Sequence, residues 1–236
     1  MGTGNETLVF VHGSGDSAQV WAPLIRLLPE YQCIALDLPG HGALTAEPGA
    51  EVMSVGDYAA YVGEELSRRG IAQPTLVGHS LGGAIALRLA LDAPSAVARI
   101  VLVGSGARLR VAPAFLQEAS EAGPQGVAAI TRMSFAANHT TQADAFQAQR
   151  APTAPGVLYR DLAACDRFDV MGEVESISQP TLLIVGADDR MTPPKYAEYL
   201  HARLASSSLV VIPDAGHYAQ IEQPGAVADA LRAWLA

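Results

Sequence analysis

Short runs of branched and aliphatic residues alternate along this chain with longer stretches whose apolar positions recur every three to four residues. The short runs are Thr7–Val11, Gln32–Leu36, Thr75–Gly78, Arg99–Val103, Thr181–Gly186 and Leu209–Ile212. Most are almost continuously apolar rather than alternating, as in strands covered on both faces, so they predict a parallel sheet. The longer stretches predict the crossover helices: Trp21–Leu28, Val55–Arg69, Leu81–Asp92, Pro194–Leu204 and Val227–Leu235. Two helix starts carry their own signals. Ser54 followed three residues later by Asp57 has the form of a capping box, and Thr192 before Pro193 has the form of an N-cap with proline at the first helical position.

The alternation breaks once. Residues 104–180 separate the fourth and fifth strands, where a crossover needs only about 10–20 residues. The excess reads as helical near Pro113–Ala122, Pro124–Ala136 and Gly156–Cys165. It predicts a helical cap over one end of the sheet, with residues 107–171 forming the cap and residues 1–106 and 172–236 the core.

Half of the 236 residues are apolar and 17% are charged, which excludes a disordered or collagen-like chain. The net charge of −9 and a single lysine, Lys195, argue against a nucleic-acid partner and against a polybasic membrane anchor. Cys33 and Cys165 stand outside any metal-binding spacing, so two reduced thiols are expected. The first residues lack the charged and apolar regions of a secretory signal, and no apolar run reaches spanning length. The expectation is a cytoplasmic protein.

Candidate chemistry collects where predicted strands end. Gly78-His79-Ser80-Leu81-Gly82 fits G-x-S-x-G between a predicted strand and a predicted helix, the setting a nucleophile elbow needs. Small flanking residues let backbones approach, Ser80 is lifted out of the sheet, and the Leu81 N–H is left at a helix start, able to stabilise an oxyanion. His12-Gly13-Ser14-Gly15 after the first strand offers the Ser14 N–H as a second donor. A serine nucleophile needs a base, and the base needs an orienting acid. Of six histidines, His217 follows the last strand and so reaches the same sheet edge. His12 and His79 are expected to fix loop geometry, His41 to lie in a loop near the mouth, and His139 and His201 to be surface groups. Asp188 and Asp189 both follow the fifth strand, and spacing from Gly186 favours Asp189 as the acid. With the strand order 2-1-3-4-5-6, the switch point falls between the strands carrying Ser14 and Ser80.

These segments, together with Asp37-Leu38-Pro39-Gly40-His41-Gly42 and Gly216-His217, resemble the α/β-hydrolase superfamily over nearly the whole chain. The nearest likeness is to small cap-bearing esterases and their lactonase and C–C hydrolase relatives. The resemblance implies a three-layer fold, a mostly parallel six-stranded sheet with helices on both faces and a helical cap. It also implies Ser80 as nucleophile, Asp189 as acid, His217 as base, and Ser14 and Leu81 as oxyanion donors. Members usually begin with two further strands, for which the few residues before Thr7 leave no room; either the sheet is a six-stranded minimal version, whose edge strand needs protection or invites a dimer, or the sequence starts part-way into a longer chain.

The expected activity is hydrolysis of small to medium carboxylic esters through an acyl-enzyme, without metal or organic cofactor, by a monomer or homodimer. Lactone or diketone C–C hydrolysis would use the same machinery. A non-catalytic receptor of the same fold is a further alternative, against which the complete triad argues. Arg108 and Arg110, just past the fourth strand, are expected to be solvated or paired with aspartate, with recognition of a substrate carboxylate as the alternative, and Met133, Phe135, Tyr159 and Phe168 are candidates for an acyl pocket or for cap core.

Overall fold

A computed structural model of the chain describes residues 6–45, 53–121, 123–151 and 156–236. Six strands form one sheet: β1 (Thr7–Val11), β2 (Gln32–Leu36), β3 (Thr75–His79), β4 (Arg99–Val103), β5 (Thr181–Gly186) and β6 (Ser207–Ile212). Their order is β2-β1-β3-β4-β5-β6 and every pairing is parallel. The helices are α1 (Ala22–Ile25), α2 (Val55–Arg68), α3 (Leu81–Asp92), α4 (Pro113–Glu121), α5 (Gly123–Ser134), α6 (Thr140–Gln149), α7 (Val157–Arg167), α8 (Lys195–His201), α9 (Ala219–Glu222) and α10 (Pro224–Leu235).

Side-chain alternation along the strands divides the core in two. Val9 and Val11 of β1 pack with α2, α3 and α8 on one face of the sheet, including Tyr58, Leu81, Ile85 and Leu200. Leu8 and Phe10 face the other side, with Trp21, Leu24, Val227 and Leu231. Trp21 is wholly buried, its ring 5.1 Å from that of Phe10. Both faces are therefore covered, as the continuous apolar runs require. This is the three-layer arrangement expected.

Between β4 and β5 the chain leaves the sheet and forms α4–α7. The anticipated helices there are found with ends shifted by a few residues, although Ala122 lies outside the described residues. Helix α6 was not anticipated. Its sequence, Thr140–Gln149, is rich in Thr, Gln and Ala and has no sustained apolar stripe, so periodicity gave no signal. The expected helix Trp21–Leu28 is a short 3₁₀ turn, Ala18–Trp21, continued by α1. The capping box at α2 is complete: the Asp57 N–H donates to Ser54 Oγ (3.2 Å) and the Ser54 N–H donates to Asp57 Oδ2 (2.6 Å).

Thr192 does not cap a helix. Helix α8 begins at Lys195 after Pro194, and the Thr192 hydroxyl turns inward to the Asp189 carboxylate, a charged acceptor that outcompetes a helix end. Cys33 and Cys165 are both free. Among the described residues no helix is long and apolar enough to cross a membrane, and no cluster of three or more His, Cys, Asp or Glu side chains could hold a metal ion.

Losing the capping box has a measurable cost. Ser54→Ala is expected to lower unfolding stability by about 1 kcal/mol, read as a lower denaturant midpoint with unchanged slope.

Candidate active site

The carboxyl ends of β1, β3, β5 and β6 meet at one edge of the sheet. Ser80 follows β3 with φ +52° and ψ −113°, a left-handed conformation rarely adopted by a residue with a Cβ. The strain costs on the order of 1–3 kcal/mol and has to be imposed by the surroundings. Three glycines allow the crowding that imposes it. A Cβ on Gly78 would run into the carbonyl of Gly82, one on Gly82 into the carbonyl of Val11, and one on Gly83 into Ser105. The turn is held by the Ser80 N–H donating to the Val103 carbonyl (3.0 Å) and the Ser105 hydroxyl donating to the Ser80 carbonyl (2.8 Å).

Asp189 and His217 meet behind this turn. Asp189 Oδ2 lies 2.9 Å from His217 Nδ1 and also accepts the Thr192 hydroxyl at 2.9 Å. Asp189 Oδ1 accepts the N–H groups of Met191 and Thr192, each at 2.8 Å. The carboxylate is thereby fully satisfied and its orientation set by backbone. Asp188, one residue earlier, is exposed, whereas Asp189 is the one of the two that meets His217. Burial alone would lower the His217 pKa, but the charge and hydrogen bond of Asp189 outweigh it and hold the imidazole above its ordinary value. With Nδ1 engaged, Nε2 is the ring nitrogen without a hydrogen-bond partner among the described residues.

Ser14, Ser80 and His217 line one cavity of about 220 Å³. Apolar wall residues Leu109, Val111, Phe115, Ile130, Leu158 and Leu162 come from the β4–β5 insertion or its approach, and Arg110, Arg150 and Arg190 also line the cavity. Leu81 opens α3 and is wholly buried. Neither the Ser14 nor the Leu81 N–H has an acceptor among the described residues, whereas the neighbouring Gly15 and Asp16 N–H groups are engaged.

The insertion reaches back to brace the Ser14 loop. Asp161 of α7 is buried and accepts the Gly15 N–H (2.8 Å) and the Tyr58 hydroxyl (2.5 Å), and it faces His41 Nε2 at 2.8 Å. Burial alone would raise its pKa, but these partners bring it below the usual carboxylate range. Arg150, beyond α6, pairs with the buried Asp16 at 2.9 Å and donates to the carbonyls of Ser14 (3.2 Å) and Gly15 (3.1 Å). The Tyr218 hydroxyl donates to the other oxygen of Asp16 (3.0 Å).

Several expectations need correction. His41 lies in a loop as expected, but it is fully buried against Asp161 and not at the mouth. His139 is mostly enclosed rather than on the surface, facing Glu222 at 3.1 Å. Met133 and Tyr159 are exposed, and Phe135 and Phe168 belong to the core, so none of the four lines the cavity. Arg108 and Arg110 are paired with Asp169 and Asp166, as expected. His12 fixes loop geometry as expected, its Nε2 accepting the Leu38 N–H (3.1 Å), and burial lowers its pKa to about 3. Asp16, Arg150, Asp161 and Glu222 carry no sequence signal, because the contacts that tie them across the seam join segments far apart in the chain.

Asp189→Asn is expected to reduce kcat by roughly 10³–10⁴-fold, because an amide no longer holds the required tautomer of His217. Asp188→Asn leaves kcat within about twofold in the same assay, as an exposed side chain outside this network.

Comparison with known proteins places this geometry. The model of the Alpha/beta hydrolase family matches residues 8–230. A pimeloyl-[acyl-carrier protein] methyl ester esterase of Neisseria meningitidis is 33% identical over 231 residues, covering 88% of this chain and 69% of that one. A putative carbamate hydrolase, RutD, of Shigella flexneri is 29% identical over 231 residues, covering 92% and 86%. The solved structure of a thermophilic esterase superposes with a TM-score of 0.78 at 35% identity, covering 97% of this chain and 88% of that one. With its sheet order, its strained turn after β3 and a family match over nearly its full length, the chain belongs to the alpha/beta hydrolase family.

Proposed function

We propose that the chain is a serine hydrolase that cleaves small to medium carboxylic esters through an acyl-enzyme intermediate. That it is an ester-hydrolysing enzyme agrees with relatives named as esterases over most of its length. The observation that carries the finer reading is the Asp189–His217 pair, 2.9 Å apart, opening on the same cavity as the strained Ser80.

Ser80 Oγ attacks the ester carbonyl carbon while His217 Nε2 takes its proton. Asp189 holds the ring through Nδ1 and stabilises the imidazolium that forms. The negative charge on the carbonyl oxygen is met by the Ser14 and Leu81 N–H groups, a term of about 3–4 kcal/mol per donor in comparable sites. His217 then protonates the departing alkoxide and the alcohol leaves an acyl group on Ser80. Water, deprotonated by the same imidazole, releases the carboxylic acid and restores Ser80. The braces from Asp161 and Arg150 keep the Ser14 loop in place before substrate arrives, so little reorganisation is left for the reaction itself. The apolar part of the wall suits the hydrocarbon portion of an acyl group.

Ser80→Ala and His217→Ala are each expected to lower kcat by roughly 10³–10⁶-fold with the fold preserved by circular dichroism. A p-nitrophenyl ester chain-length series beside a lactone and a diketone panel tests the substrate class, with the short and medium esters expected to turn over fastest. Ester turnover retained by Ser80→Ala overturns the mechanism. Failure of a fluorophosphonate probe to label Ser80 favours a binding protein instead.

The reaction needs neutral His217, and its pKa is raised in the fold. Activity is therefore expected to fall as pH drops through a midpoint above the ordinary imidazole value of about 6.5, read as the acid limb of kcat/KM.

A further inference from the structure

Glu222, at the end of α9, takes no part in the proton transfers described, yet its side chain is wholly shut off from solvent and both of its oxygens are used twice. Oε1 accepts the N–H groups of Gly216 (2.9 Å) and Tyr218 (3.1 Å), the two residues that flank His217. Oε2 accepts the N–H of Ala136 (2.8 Å) and faces His139 Nδ1 at 3.1 Å, both in the insertion. Other contacts cross the same seam. The His217 N–H donates to the Ser134 carbonyl (2.7 Å), and Arg190 donates to the carbonyls of Met133 (2.9 Å) and Phe135 (3.1 Å). A Cβ on Gly216 would strike the backbone of residues 134–136. The insertion thus sits directly on the His217 loop.

A neutral amide could not fill this position. Glutamine offers one acceptor oxygen and two donor hydrogens, so one side of the seam would face an N–H with an N–H. Only a carboxylate accepts on both sides, and burying it is tolerable because four donors surround it.

We propose that Glu222 is a positioning residue for the base, coupling the docking of the insertion to the orientation and basicity of His217. The inference rests on the reading of His217 as base. His217 is also faced by Asp189 and Thr192 from the β5 loop, His79 from β3, Asp16 from the β1 loop and Tyr218 beside it. Glu222 itself faces His139, which lies 3.4 Å from Asp214. Asp189 dominates the charge around the imidazole, and Glu222 adds to it in the same direction. A neutral residue at 222 therefore makes His217 easier to deprotonate.

The test is Glu222→Gln in the full chain. It is expected to lower kcat about 10–100-fold, since a base displaced by a fraction of an ångström loses its alignment. The acid limb of kcat/KM is expected to move down by roughly half to one pH unit, because a nearby negative charge is gone. A purely structural role would lower the thermal midpoint and leave the limb where it was. A folded Glu222→Gln with kcat within about twofold of wild type and an unmoved limb overturns the proposal. If Glu222→Gln does not fold, His139→Ala carries the test: it removes one insertion donor, and a kcat reduced by about threefold or more supports the coupling, whereas an unchanged kcat overturns it. Fluorophosphonate labelling separates the two levels. Wild type that fails to label at Ser80 refutes the serine-hydrolase reading, whereas wild type that labels, with Glu222→Gln labelling at the same rate at every pH, refutes only the role of Glu222.

Discussion

Because all six strands run the same way, every strand delivers its carboxyl end, and the loop that follows it, to one edge of the sheet. A parallel sheet buried on both faces has no other place to expose side-chain chemistry. That edge is where β1 hands over Ser14, β3 hands over Ser80, and β5 and β6 hand over Asp189 and His217. The crowding has a price that the sequence meets with small residues. Gly78, Gly82 and Gly83 let β1, β3 and α3 approach closely enough to force Ser80 into its left-handed turn. The strain at Ser80 is thus supported by packing on both sides, not by the turn alone.

Concentrating loops in one place also concentrates buried charge. Asp16, Asp161, Asp189 and Glu222 are all buried at this edge. Each is answered by its own donors: Arg150 and Tyr218, Gly15 and Tyr58, the Met191 and Thr192 backbone, and the Gly216, Tyr218 and Ala136 backbone. A buried carboxylate without donors would protonate or swing out to water. Held by several N–H and O–H groups, it becomes a rigid strut. Three of these struts join the core to the insertion, and the fourth holds the imidazole.

The parts of the fold that were legible in the sequence are those governed by local chemistry. Strand runs such as Thr181–Gly186 are apolar along their whole length because both faces are covered, and their bounds match the structure. The elbow was legible because sterics demand glycines at fixed offsets around Ser80. Asp189 was favoured over Asp188 through its distance from Gly186, which reflects the tight turn closed by the Asp189 N–H on the Gly186 carbonyl (3.2 Å). What escaped depends on contacts between distant segments. Asp161 and Gly15 are 146 positions apart, and Glu222 and Ala136 are 86 apart. Thr192 looked like a cap because Pro193 follows it, but a nearby carboxylate made a better partner than a helix end. Helix α6 escaped because its stability comes from what it packs against and not from its own pattern.

The insertion is stitched into the machinery at Gly15, Asp16 and the His217 loop, which changes what it means to exchange one such segment for another. A transplanted insertion with a different inner wall could present a new pocket shape to Ser80. It would work only if it also carried an aspartate where Asp161 reaches the Ser14 loop, an arginine where Arg150 meets Asp16, and an open backbone N–H where Ala136 meets Glu222. Residues between these anchor points line much of the cavity, beside Arg190, Met191 and Tyr196 from outside the insertion. The anchors set a grammar that any successor segment has to obey, and the apolar wall between them is where it is free to differ.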